Sequence, residues 1–378
     1  MRVSRHETSR RRAVMKILFV NNFRGRGGGE EFLRDLLPGL AGKGVKVGLV
    51  CRPKTPLAEM FVEAGIEVYP INRSGAGALT SAFKIAKIIK RGGYEIVSIQ
   101  RGHDVIQSWT ASMLSLRKPI LTYTVQVPEF LRSRFLLSRM DRITTISRYI
   151  AGKIAKFAPS VAKRTSILYY GIDLGKFKPG TTPSGQFRNR FGLSPGTKVI
   201  ATVGDLWKNQ IEFLNALAEI RKTFPDVKYV LVASAIGIGQ IGEFKDRASR
   251  LGLTDAVIWT GRLSKEEMLS LYGDIDVAVS THRNEGFGIW VLESLAMGAP
   301  VIAVNDGGIR DALEGCGTGM LVDGGAREMA SAVIRVLADK ALRQAMSDAG
   351  RQWVAAKFSR ERMVDDYYDF FESLKKAR

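Results

Sequence analysis

Short, continuous apolar runs alternate along this chain with stretches of helical periodicity. In the first half the runs fall at 17–21, 46–51, 67–71, 96–99, 120–125 and 142–146. Between these runs, 30–40, 57–64, 79–90 and 148–157 carry apolar residues at helical spacing. Strand, helix, strand in repetition predicts a parallel α/β sheet. A second series of runs lies at 198–203, 229–233, 256–259, 276–280 and 300–304. Between the two series, 169–185 is rich in turn formers and predicts an interdomain connection. A last helix, 360–375, places Met363, Tyr367, Phe370, Phe371 and Leu374 at helical spacing, which reads as a core stripe.

Composition agrees with two globular domains. The chain has 378 residues, 45% of them hydrophobic and 25% charged, enough for two cores and unlike a disordered chain. Two cysteines, Cys51 and Cys316, are too few for a disulfide framework or a metal cluster, and both read as packing residues in a reducing compartment. No apolar run approaches the ~18 residues of a membrane-spanning helix. Residues 1–14 are basic and lack the apolar segment of a secretory signal, so they are expected to form a basic tail or to stem from an upstream start.

Charge changes the picture. Residues 1–180 hold 32 Lys and Arg against 12 Asp and Glu, whereas 181–378 hold 25 of each, so the net charge of +20 belongs to the first half. A polyanionic partner is implied for that half, nucleic acid or an anionic membrane. Two stretches combine basic and apolar residues as an interfacial helix does: 80–91, with Lys84, Lys87, Lys90 and Arg91, and 130–142, with Arg132, Arg134, Arg139 and Arg142.

The densest chemistry lies in the run Glu285-Gly-Phe-Gly-Ile-Trp-Val-Leu-Glu293, where two carboxylates have seven residues between them. A predicted strand precedes the run and a helical pattern, 291–297, closes it. An acid and a glycine turn are thereby expected at the carboxyl end of a strand, beside the unpaired N–H groups of a helix start. That is the ligand crevice of an open parallel sheet. Glu293, about two helical turns after Glu285, is expected on the same side of that helix. A second glycine-rich turn, Arg24-Gly-Arg-Gly-Gly28-Gly29-Glu30-Glu31, and a third, Gly204-Asp205-Leu-Trp-Lys208-Asn-Gln210, follow other predicted strands and are candidates for anion binding.

Three segments occur in order: Thr260-Gly-Arg262 through Tyr272, the acid pair, and Gly298-Ala-Pro300 through Gly307-Gly308-Ile-Arg310, with Gly319–Val322 after them. Residues 195–330 thereby closely resemble the carboxyl-terminal domain of the family 4 glycosyltransferases. Tyr170-Gly-Ile-Asp173 is similar to the family linker, and Gly28-Gly29-x-Glu31 to its first glycine turn. The resemblance implies an α/β chain of GT-B architecture: two Rossmann-like, doubly wound parallel-sheet domains facing a cleft. The expected parts are a tail at 1–14, an acceptor-side domain at 15–178, a nucleotide-sugar domain at 179–358 and a helix at 359–378 that crosses back onto the first domain.

The activity implied is that of a retaining, metal-independent, nucleoside diphosphate sugar-dependent transferase with no cofactor. Its acceptor would be a cell-envelope glycolipid or polysaccharide precursor, such as lipopolysaccharide core or O-antigen, met at the inner face of the cytoplasmic membrane. The resemblance assigns Glu293 to the ribose, Glu285 to the sugar, Lys208 to the diphosphate, and Gly28 and Gly29 to the donor. Backbone N–H groups of Phe287, Gly288 and Ile289 would serve sugar and phosphate. Two departures stand out. Asp205 occupies the family's arginine position, so Arg262 is expected to share the load, and Gln126 stands where many relatives carry histidine. His103, after another predicted strand, is therefore a second catalytic candidate beside Glu285, with a plain loop residue as the alternative, while His282 reads as structural. Other readings remain: an epimerase-like protein or a nucleotide-sugar-binding pseudoenzyme of the same fold, or, on charge alone, a nucleic-acid-binding protein, which the lack of stacking aromatics disfavours.

Overall fold

The computed structural model describes residues 14–23, 28–72, 78–127, 133–233, 238–315, 317 and 319–377. Arg24 to Gly27, the segment from Phe130 to Arg132, Cys316 and nearly all of the basic tail lie outside the described residues. Thirteen strands form two sheets among the described residues. The first holds β1 (Lys16–Asn21), β2 (Lys46–Cys51), β3 (Glu67–Pro70), β4 (Ile96–Ile99), β5 (Ile120–Val125), β6 (Arg142–Thr145) and β7 (Thr165–Ile167) in the order 3-2-1-4-5-6-7. The second holds β8 (Val199–Val203), β9 (Lys228–Val232), β10 (Val257–Trp259), β11 (Val277–Ser280), β12 (Val301–Val304) and β13 (Gly319–Val322) in the order 10-9-8-11-12-13.

Each sheet winds outward in both directions from its first strand, as a dinucleotide fold does. The order therefore reverses between β1 and β4, and again between β8 and β11. Strand β1 runs parallel to both of its neighbours, matching Phe19 to Leu49 on one side and to Ser98 on the other. The cause is legible in β1, whose Ile17, Leu18, Phe19 and Val20 are all fully buried because helices cover both faces.

By contact the described parts of 1–124, 132–143 and 366–378 form one compact unit and those of 125–131 and 144–365 the other. In the first, helix Gly28–Gly42 buries Phe32, Leu33, Leu36, Leu37 and Leu40 along one stripe. The final helix, Arg360–Lys376, sets Tyr367 against Phe32 (ring centroids 5.3 Å apart) and Phe371 edge-on to Phe19 (6.0 Å). Cys51 is a buried core residue whose thiol is pushed up to about 11 by burial. In the second unit, Phe213, Leu214 and Leu217 of helix Gln210–Thr223 and Val333 of helix Ala326–Ala338 share a core with Ile200, Tyr229, Val277 and Ile302 of the sheet.

Three details depart from the sequence pattern. Strands β7 and β13 appear without having been anticipated, as does helix Val105–Leu114. The described part of 130–142 is not a long amphipathic helix. It holds only Arg134–Ser138, because β6 starts at Arg142 and Met140 is already buried.

Candidate active site

Strands β8 and β11 are neighbours, so the turns that leave their carboxyl ends meet at the reversal of strand order, where an open sheet has its crevice. After β8 the chain makes a short 3-10 turn, Leu206–Lys208, and enters helix Gln210–Thr223 through Asn209. After β11 it passes Thr281, His282 and Asn284 to Glu285. Thr281 donates its hydroxyl to the Asn209 carbonyl at 2.9 Å and ties the two turns together.

Lys208 and Glu285 meet there. Lys208 Nζ lies 2.8 Å from Glu285 Oε2, and His282 Nδ1 lies 3.1 Å from the same oxygen. The Gly286 N–H donates to Oε1 at 3.2 Å. Burial alone would push the Glu285 carboxyl up. The hydrogen bond from His282 and the charge of Lys208 outweigh burial and hold it at about 2. Glu285 is therefore an ionised acceptor at neutral pH, and the His282 nitrogen facing it must carry its proton. A carboxylate offers about four lone-pair positions. Three are engaged here, which leaves room for one further donor, such as a hydroxyl. His282, read as structural from the sequence, is thus a direct partner of the candidate acid. Its ring also meets Trp207 edge-on at 5.2 Å, and Trp207 is 56% exposed.

The Gly-Phe-Gly run has a separate reason for each residue. Phe287 is fully buried and its ring stacks on Tyr169 (5.7 Å) and meets Tyr170 and Phe358 edge-on, which anchors the turn. Gly288, at φ +86°, is the N-cap of helix Ile289–Ala296 and offers no side-chain cap; its carbonyl takes the Val291 N–H at 3.0 Å, and the N–H groups before that are left to other acceptors. Gly286 and Gly308 are in backbone contact: a Cβ on Gly308 would lie 1.9 Å from the Gly286 carbonyl oxygen, and the Gly308 N–H donates to the Glu285 carbonyl at 2.6 Å. The Gly307-Gly308 pair of the sequence is therefore the shelf on which the Glu285 turn rests.

Glu285 precedes this helix and Glu293 lies within it, so the two acids are not on one helical face as the spacing predicted. Glu293 is half-buried and accepts the Tyr272 hydroxyl at 2.9 Å. Tyr272 is carried by helix Lys265–Asp274, which starts at a capping box formed by Ser264 and Glu267. The motif Ser264-Lys-Glu-Glu267 through Tyr272 is thus the device that sets Glu293. Tyr272 is itself fully buried, and burial keeps its hydroxyl protonated and able to donate. Arg262 is exposed in the turn after β10, and Asp205 opens the 3-10 turn in extended backbone.

Gly28, Gly29 and His103 belong to the first unit, at the carboxyl edge of its sheet. Gly28 and Gly29 open helix Gly28–Gly42, whose first turn already carries Glu30 and Glu31. Glu30 is buried and accepts from Asn21 Nδ2 at 3.0 Å and from Arg101. His103 stands in the short turn Gly102–Asp104, its Nε2 3.6 Å from Asp104 Oδ1. Asp104, with no exposed surface, accepts from the Asn22 N–H (2.9 Å), the Asn22 amide (3.2 Å) and the Gln107 amide (2.9 Å). Neighbouring β1 and β4 bring Asn22 and Asp104 together just as β8 and β11 bring Lys208 and Glu285. Gln126 belongs to the second unit, where its carbonyl oxygen would lie 2.6 Å from a Cβ on Gly286.

Residues 184–353 match the family described as "Glycosyl transferases group 1", and residues 26–176 match "Glycosyltransferase Family 4". The D-inositol 3-phosphate glycosyltransferase of Segniliparus rotundus is 30% identical over 264 residues, which are 68% of this chain and 58% of that protein. The chain thus spans little more than half the length of that relative. The GDP-mannose-dependent alpha-(1-6)-phosphatidylinositol monomannoside mannosyltransferase of Mycobacterium tuberculosis is 28% identical over 298 residues, 76% of this chain and 72% of that one. Among solved structures, Anabaena HepE in complex with UDP and glucose superposes with a TM-score of 0.80 at 21% identity, covering 95% of this chain and 100% of that one. At such identity the likeness shows the fold.

Proposed function

The chain belongs to glycosyltransferase family 4, with the α/β GT-B fold, and from that premise we propose that it moves a sugar from a nucleoside diphosphate donor to an envelope glycolipid or polysaccharide precursor with retention of anomeric configuration. The observation that carries this reading is the Lys208–Glu285 pair, 2.8 Å apart beside the uncapped start of helix Ile289–Ala296. A donor diphosphate fits that helix start, which offers N–H groups and a partial positive charge. Lys208 offsets the charge that grows on the departing nucleotide, a role that needs no divalent cation. Glu285, ionised and with one lone-pair position to spare, takes a hydroxyl of the donor sugar. It positions the sugar and does not protonate the leaving group.

The acceptor oxygen bonds to the anomeric carbon on the face from which the phosphate leaves, and its proton passes to the departing phosphate oxygen. Glu293, fixed by Tyr272, takes the ribose hydroxyls. The names of the two relatives carry an inositol phosphate and a phosphatidylinositol mannoside. They support a membrane lipid or a polyol phosphate as acceptor, with lipopolysaccharide precursors a further member of the same class. The basic first half would meet this acceptor at the inner, anionic face of the cytoplasmic membrane. Among the described residues no helix is long and apolar enough to cross a membrane.

The test is a panel of UDP- and GDP-sugars offered with a chelator present, read as donor hydrolysis and as transfer to extracted envelope lipid. Hydrolysis of one donor that survives chelation supports the reading, and failure of every donor to bind overturns it. A non-catalytic nucleotide-sugar binder is the second reading, favoured by Asp205 at the family's arginine position, and the same assay separates it as binding without turnover.

A further inference from the structure

Helix Val105–Leu114 buries polar residues and exposes apolar ones. Gln107, Ser108 and Ser112 lie inside with Val105 and Ala111, while Ile106 (52% exposed), Met113 (63%) and Leu114 (41%) face solvent. Just beyond it Leu116 is 81% exposed at φ +59°. That backbone region strains an L-residue with a side chain and is ordinarily left to glycine or asparagine. A leucine that is both strained and unburied contributes little to the fold.

The surface continues onto helix Arg134–Ser138. Phe135, 53% exposed, meets Trp109 edge-on at 6.0 Å, and the Arg139 guanidinium lies 4.5 Å over the Phe135 ring and 5.7 Å from that of Trp109. Arg117, Lys118, Arg134 and Arg139 are exposed around it. Residues 105–118 and 133–140 contain no Asp or Glu. Single exposed apolar residues are ordinary on a protein surface, but a contiguous cluster rimmed by one sign of charge marks an interaction site.

We propose that this face, from Ile106 through Leu116 to Phe135, is the part of the chain that enters an anionic bilayer, with its apolar side chains at the acyl boundary and its arginines and lysine among lipid phosphates. The inference rests on the membrane-acceptor reading above and names the face that serves it. Charge complementarity selects the occupant: the patch is purely basic, in the half of the chain that holds the whole net charge of +20. It places this face of the first unit at the interface where a lipid-linked acceptor is met.

The experiment is co-sedimentation of the full chain with phosphatidylcholine vesicles with and without phosphatidylglycerol, at low and high salt, beside duplex DNA and RNA at equal salt. Leu116→Gly and Met113→Ser should each weaken binding to the phosphatidylglycerol vesicles by roughly tenfold, the size expected for removing one buried apolar side chain. Leu116→Gly should also keep or raise thermal stability, because glycine relieves the positive φ, so that a folding defect is excluded. Donor hydrolysis should match wild type in both variants. Undiminished vesicle binding by both variants overturns the choice of face and leaves the membrane reading standing. A wild type that hydrolyses donor but ignores vesicles overturns both the face and the membrane while sparing sugar transfer. Tighter binding to DNA or RNA than to vesicles overturns the bilayer as occupant.

Discussion

Lys208 Nζ and Glu285 Oε2 stand 2.8 Å apart although 77 residues separate them in the chain, and both side chains are largely buried. The pair joins the residue proposed to meet the diphosphate with the residue proposed to meet the sugar. Each partner makes the other tolerable inside the protein, since a buried charge left alone is costly.

Lys208→Met is therefore expected to cost about 3 kcal/mol of stability, the scale for removing one partner of a buried pair. Adding Glu285→Gln to it should restore part of the loss, because the uncompensated carboxylate is then gone. Urea unfolding of both single variants and the double variant measures the coupling. Strictly additive losses would show that the two side chains do not interact in solution.

Glu285 also sets a pH dependence. Glu285 is held at about 2, below the ordinary 4.5. A carboxyl lowered in the folded state contributes stability that is fully present above its unfolded value and is lost as pH falls towards its folded value. The contribution, on the order of 3 kcal/mol for a shift of this size, should be constant above about pH 5 and fade between 4.5 and 2. Thermal melts of wild type and Glu285→Gln across that window give the check. Wild type should lead by a constant margin at neutral pH and lose it on the acid side, and a margin that does not change with pH contradicts the assignment.

The sheets were legible because short apolar runs, such as Ile17 to Val20, alternate along the chain with stretches of helical spacing. Strands β7 and β13 escaped because each has only three or four residues, mostly half-buried, and so writes no apolar run. Helix Val105–Leu114 escaped because Gln107, Ser108 and Ser112 are buried with Val105 and Ala111 while Ile106, Met113 and Leu114 are exposed, which blurs the expected pattern. Glu285, Glu293 and Lys208 stood out individually, but that Lys208 and Glu285 touch depends on β8 lying beside β11, which local pattern does not encode. His282 escaped because its partner is three residues away through a turn, where helical spacing rules say nothing. The stretch from Thr260 to Tyr272 stood out as part of the family resemblance, whereas its purpose, delivering Tyr272 to Glu293, required the packing of two helices.

The second carboxylate should behave differently from the first. Glu293→Ala is expected to weaken binding of the free nucleotide by about 1.5–3 kcal/mol, the range for hydrogen bonds to a charged group. Tyr272→Phe removes one neutral donor and should weaken it by about 1 kcal/mol. Glu285→Ala should lower kcat while leaving nucleotide affinity nearly intact, since its proposed contact is with the sugar. Calorimetry with UDP and GDP beside turnover assays separates the three. Equal loss of nucleotide affinity in Glu285→Ala and Glu293→Ala would refute the division between sugar and ribose.

The glycine shelf gives a test that touches no proposed ligand contact. A Cβ at Gly308 would lie 1.9 Å from the Gly286 carbonyl oxygen and 2.8 Å from Ser147 Oγ, so one backbone or the other must shift. A shift of the Gly286 turn carries Glu285 with it. Gly308→Ala is thus expected to cost about 1–3 kcal/mol of stability and to lower kcat by displacing the Glu285 carboxylate from its place beside Lys208. Nucleotide affinity should fall less than kcat, because Tyr272 on helix Lys265–Asp274 also holds Glu293 in place. Adding Gly286→Ala should not repair the loss, since a second Cβ would meet the Gln126 carbonyl oxygen at 2.6 Å. A Gly308→Ala protein with wild-type kcat and wild-type stability would mean that the turn and its shelf are farther apart in solution than the contact requires.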